Sequence, residues 1–244
     1  MAIKSIQYNQ HTINMSYEIV NSHAKVDLIL LHGWGSNKNL MKQVFSQHMS
    51  HFRHIYIDLP GFGGSTCNLT LQTADYARIV ELLMVHINAQ KDIILGHSFG
   101  GKVALLLEPK VLVLVASAGI YVTKSLRIQA KIALFKLLKI FGFTTLRNLF
   151  VADDAKNLSE PMYQTFKNVV NEDFKNEFAL YGGKALLCWG EKDSATPLSS
   201  AKKINSLIKN STLKVYEGDH YFFMNQAKDI SENIEATFLK TLEH

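Results

Sequence analysis

Cysteine is scarce in this chain. Cys67 and Cys188 are the only two in 244 residues, and their positions fit neither a disulfide framework nor a Cys-x-x-Cys metal clip. Cys188 stands in the apolar run "ALLCWG" and reads as a buried thiol, so a reducing cytoplasm is the expected compartment. Proline is also sparse, at four residues, and with no low-complexity tract this argues against two loosely tethered domains. Long hydrophobic runs are missing too. The stretch from Val111 to Thr123 is uncharged but falls short of the roughly 20 residues a membrane span needs. The first twenty residues lack the continuous apolar core of a signal peptide, and Leu242 to His244 reads as the start of a vector-encoded tag. Acidic residues are absent between Glu108 and Asp153, where seven lysines and arginines fall. The whole chain carries a net charge of +5, so one segment is basic while the remainder is net acidic. A nucleic-acid partner is not expected from that balance.

What is present is a repeating order of strands and helices. "VDLILLHG", "HIYIDLPGFGGS", "DIILGHS", "PKVLVLVASAG", "KALLCWGEKD" and "TLKVYEGDH" read as strands closed by turn residues, several apolar enough to be buried on both faces. Two earlier stretches, Ile3–Tyr8 and Ile13–Ile19, alternate apolar with polar and suit an antiparallel edge. Helix-like patterns fill the gaps, as in "LQTADYARIVELLMVHI", where Ala74, Ala77, Leu82 and Val85 recur at helical spacing. The expected class is α/β, a mostly parallel twisted sheet with helices on both faces. The expected division is a core of residues 1–119 and 182–241, with residues 120–181 inserted as a small helical lid.

The stretch "ILGHSFGGKV" sets Ser98 between glycines where a strand stops and a helix starts. That strand-turn-helix context gives the G-x-S-x-G pattern meaning: it lifts a serine oxygen clear of the backbone, at a helix N-terminus that favours a developing anion. Serine is a poor nucleophile until a base takes its proton and an acid orients that base. "LLCWGEKDSATP" places Asp193 past one strand, and "LKVYEGDHYFF" places His220 past the next, both at the sheet edge of Ser98. Glu191 and Asp219 compete as the acid. The N–H groups of Phe99, after the nucleophile, and of Trp34, in "HGWG", are the candidate oxyanion donors. His32 reads as a loop brace, His97 as turned away from Ser98, and the other histidines as surface or packing residues.

Together "LLHGWG", "DLPGFGGS", "GHSFGG" and the Asp193 and His220 loops resemble the α/β-hydrolase superfamily across nearly the whole chain. The resemblance implies a serine hydrolase with Ser98, His220 and Asp193 as nucleophile, base and acid, and with no metal or cofactor. "LILLHGWG" followed by "YIDLPGFGGS" is similar to pimeloyl-carrier-protein methyl ester esterases, which implies a carboxylic ester and an acidic acyl carrier protein as partner. "GHSFGG" also resembles meta-cleavage-product hydrolases, which cleave a carbon–carbon bond in 2-hydroxy-6-oxo-dienoates; in that alternative Arg127 or Arg147 meets a substrate carboxylate. A retained hydrolase fold acting only as a ligand-binding protein is the third reading. On an expected helix from Lys124 to Phe141, the residues Lys124, Arg127 and Lys131 form one stripe for an anionic partner or substrate.

Overall fold

Residues 1–121 and 158–242 are described in a computed structural model of the chain. Among the described residues there are eight strands, β1 (Ala2–Tyr8), β2 (His11–Val20), β3 (Val26–Leu31), β4 (Phe52–Ile57), β5 (Ile93–His97), β6 (Val111–Val115), β7 (Lys184–Gly190) and β8 (Ser211–Tyr216). They form one sheet in the order β1-β2-β4-β3-β5-β6-β7-β8. β1, β2 and β4 pair antiparallel, and every pairing from β4 through β3 to β8 is parallel. The alternating N-terminal stretches thus form the antiparallel edge expected of them.

Apolar runs build the central strands because both sheet faces are covered. Along β3, Leu28 and Leu30 point into one core while Ile29 and Leu31 point into the other. One face is packed by α2 (Thr73–His86), α3 (Phe99–Leu106), α4 (Glu160–Val170), α5 (Lys175–Leu180) and α6 (Leu198–Leu207). The opposite face is packed by α1 (Lys38–Phe45) and α7 (Ala227–Leu242).

On α2 the structure departs from the expected apolar repeat. Ala74 and Val85, read there as part of its helical apolar repeat, are exposed, and Leu82 is only half-buried. The buried face is Tyr76, Ala77, Ile79, Val80, Leu83 and Met84. The helix has apolar residues around most of its circumference, and packing against the sheet and α3 covered one stripe of them. Its start is fixed locally: Gln72 and Asp75 form a capping box.

The chain order reverses at β3, with β4 on one side and β5 on the other. In parallel sheets the crevice outside the strand ends at such a point is where ligands bind. The "HGWG" loop after β3 and the corner after β5 meet there. The loops after β7 and β8 open on the same edge.

Candidate active site

Ser98 occupies the corner between β5 and α3 with φ 52° and ψ −114°, a conformation L-residues rarely adopt. Its backbone is pinned on both sides: its N–H donates to Val115 and its carbonyl accepts from Ala118, each at 3.0 Å. The neighbouring glycines are required by contact. A Cβ at Gly96 would collide with the Gly100 carbonyl, and one at Gly100 would lie 2.6 Å from the carbonyl oxygens of Leu31 and His32. One at Gly33 would lie 3.1 Å from the Ser98 Cβ. The corner is closed to any larger side chain, and so it stays sharp.

Asp193 and His220 come together. His220 Nδ1 lies 2.8 Å from Asp193 Oδ2. The Asp193 carboxylate is fully buried, and its Oδ1 accepts the N–H groups of Ala195 and Thr196 at 2.8 Å each. Thr196 Oγ1 adds a contact of 2.8 Å to Oδ2. Burial by itself raises the carboxyl pKa, but the His220 and Thr196 hydrogen bonds outweigh it and hold the group below the ordinary aspartate value. Glu191 turns to Lys192 at 3.3 Å, and Asp219 accepts the Tyr221 N–H. Neither competing acid makes a hydrogen bond to His220.

Two further histidines brace the site from below. Leu59 N–H donates to His32 Nε2 at 3.0 Å, so the proton sits on Nδ1, which donates to the Gly33 carbonyl at 2.7 Å. Burial pushes His32 down to about 4, which keeps it neutral. His97 Nε2 lies 3.2 Å from the His220 carbonyl, and its ring packs against those of His220, Tyr221 and Phe223. Burial, then the proximity of His220, pushes His97 down to about 3.

A cavity of about 360 Å³ opens beside Ser98. Trp34 and Phe99 flank it, their rings edge-on at 5.5 Å between centroids. Among the described residues no acceptor takes up the backbone N–H of either one. Phe166, Val169 and Val170 of α4 form another wall, and Lys102 and Glu172 also line the space. No group of three or more His, Cys, Asp or Glu among the described residues is arranged to hold a metal ion.

The sequence profile of the Alpha/beta hydrolase family matches residues 28–232, most of the chain and every element of this site. The chain belongs to that family. It is a hydrolase.

Its relatives agree with this assignment. A pimeloyl-[acyl-carrier protein] methyl ester esterase of Vibrio vulnificus (strain YJ016) is 42% identical over 78 residues, which is 32% of this chain and only 29% of that protein's length. Two solved structures share the fold. An esterase from Exiguobacterium antarcticum superposes with a TM-score of 0.75 at 21% identity, over 96% of this chain and 98% of that one. A meta-cleavage product hydrolase from Pseudomonas fluorescens IP01 gives 0.73 at 20% identity, with 98% of each chain covered.

In this alpha/beta hydrolase family member the structure places Ser98, Asp193, His220, Trp34 and Phe99 along one sheet edge. Lys124, Arg127, Lys131 and Arg147 lie outside the described residues. Sequence reasoning missed two groups. Thr196 was legible in principle, because "DSAT" folds as a turn in which an aspartate accepts the N–H groups two and three residues on. Glu172 was not legible, because its partners Lys102 and Thr73 are 70 and 99 positions away.

Proposed function

We propose that this hydrolase is a serine esterase that cleaves a carboxylic ester through an acyl-enzyme on Ser98. The observation that carries the reading is the 2.8 Å contact of His220 with a buried, multiply hydrogen-bonded Asp193, on the sheet edge where Ser98 is held at positive φ. In this reading His220 takes the Ser98 proton as the oxygen attacks the ester carbonyl. The N–H groups of Trp34 and Phe99 receive the negative charge that forms on the carbonyl oxygen, each worth about 10²–10³ in rate. His220 then returns the proton to the departing alcohol. A water molecule, deprotonated by the same histidine, attacks the acyl group, and His220 returns that proton to Ser98 Oγ as the acid leaves. Asp193 holds the imidazole in the tautomer this requires and stabilises its charged form.

The short match to the Vibrio esterase supports an acyl-carrier-linked ester as substrate. The cations Lys124, Arg127, Lys131 and Arg147 are the groups we assign to an anionic substrate or acidic carrier, on a lid of residues 120–181. A cytoplasmic location fits the paucity of cysteine.

A fluorophosphonate probe should label Ser98 and no other residue, and Ser98→Ala should lose about 10⁴-fold of esterase turnover or more. Labelling elsewhere, or a Ser98→Ala enzyme with undiminished turnover, removes the assignment. A carrier-linked methyl ester, p-nitrophenyl esters and a ring-fission dienoate assayed side by side separate ester from carbon–carbon cleavage.

A further inference from the structure

Lys102 lies one helical turn beyond Ser98, and its side chain is only 2% exposed. Its ammonium donates to the Val169 carbonyl at 2.5 Å and to Glu172 Oε2 at 2.8 Å, and it stands 4.9 Å from the Phe174 ring centroid. Glu172 is shared. Its Oε2 also accepts the Thr73 hydroxyl, and its Oε1 the Thr73 N–H at 3.4 Å, at the first turn of α2. One carboxylate therefore joins three elements: the start of α2, the helix that carries the nucleophile, and the chain leaving α4.

Burying an ammonium is costly, and apolar residues of similar volume commonly stabilise a fold as well or better. Burial here pulls the lysine below its ordinary range, and Glu172 opposes the shift. What the pair adds is position. Lys102 grips the carbonyl end of α4, where the helix dipole favours a cation, and Glu172 meets the amide end of α2, where the dipole favours an anion. The gripped helix is the cavity wall that faces Trp34, whose ring lies 5.3 Å from that of Phe166. Elsewhere α4 buries Met162, Thr165 and Val169 in the core, and Thr165 and Asn168 bond the backbone of Leu71, but among the described residues only the Lys102–Glu172 pair holds its carbonyl end to both α2 and α3.

We propose that the Lys102–Glu172 pair is a strut fixing α4 as the acyl-side wall, and that it sets the length of acyl chain that Ser98 accepts. The proposal rests on Ser98 as the nucleophile. Lys102 acts through α4 and is a positioning residue.

The test is the rate of covalent labelling by alkyl fluorophosphonates of increasing chain length, in which Ser98 Oγ bonds to phosphorus and fluoride leaves. In the natural enzyme the rate should fall about tenfold once the chain outgrows the fixed wall. In Lys102→Met/Glu172→Gln, which removes both charges together, the fall should shrink to about threefold or less, through weaker discrimination in the reversible binding step. Thr73→Val loosens the same carboxylate without leaving a charge unpaired. It should shift the profile in the same direction by less, and it serves if the double variant does not fold. A length profile of unchanged shape in the folded variants, including one lowered equally at all lengths, overturns the strut and leaves the esterase reading standing. Absence of labelling at Ser98 in the natural enzyme sinks both.

Discussion

Ser98 is held where an L-residue loses on the order of 1–3 kcal/mol of backbone energy, and its surroundings keep it there. Two of its three backbone hydrogen bonds reach the end of β6 and the turn that follows, so the strain is borne by the sheet. Asp193 is over-determined in the same way, with two backbone N–H groups on one oxygen and His220 and Thr196 on the other. Asp193→Asn keeps an acceptor for the N–H groups but turns an amide toward His220 Nδ1. Nδ1 must then accept, and the imidazole takes the wrong tautomer. Turnover should fall by about 10⁴-fold with the fold retained, checked by steady-state hydrolysis beside circular dichroism. Glu191→Gln should turn over at the natural rate. The reverse pattern would make Glu191 the acid.

At the scale of elements, the β5–α3 corner has no room for a side chain at Gly96 or Gly100. Gly96→Ala sets a methyl group against the Gly100 carbonyl, a backbone atom with no rotamer to move. The variant should lose about 1–3 kcal/mol of stability, read as a lower urea midpoint, together with most of its Ser98 labelling. The basic segment makes a separate prediction. Lys124→Glu/Arg127→Glu/Lys131→Glu should raise KM for a carrier-protein-linked ester, and this loss should narrow in high salt, where the Debye length shortens to about 3 Å at 1 M. A small neutral ester should be hydrolysed at its former rate. An equal effect on both substrates would reduce the stripe to an ordinary solvated face. The elbow, both loops and every described strand could be found from the sequence because glycine, charge and β-branched runs mark them locally. The buried face of α2 could not be found that way, since Val85 is as apolar as Val80 and only the sheet decides which one is covered.

The molecule as a whole should be sensitive to mild acid. His32 and His97 are buried and held at about 4 and about 3, well below an unfolded histidine. Between those values and about 6.5 the unfolded chain takes up protons that the folded chain refuses, so stability falls as pH drops through that window. His32 lies near Asp58 and Lys38, and His97 near His220, Asp193 and His32 itself. A second loss follows at lower pH. Asp58, bonded to Lys38 and the Gly64 N–H, and Asp193 both have depressed pKa values, so their contribution is present above the unfolded aspartate pKa of about 3.9 and disappears as pH falls through their folded values. The melting temperature should therefore drop by about 10 °C or more from pH 7 to pH 4.5, and His97→Gln should flatten part of that slope. A level profile across this range would mean that these histidines are accessible to protons in the folded state.

The sequence by itself determined the strands, their C-terminal loops and the residues those loops carry, because each is written in a few adjacent positions: an apolar run, a glycine, then a polar group. It also determined the family, since "HGWG", "GHSFGG" and the Asp193 and His220 loops follow one another in the required order. The tertiary structure decided what depends on distance in the chain. It set the rotation of α2, the neutral histidines under the site, and the meeting of Lys102, Glu172 and Thr73. Burial and pairing belong to surroundings that no local pattern encodes, and a lysine reads as a surface residue until the fold closes over it.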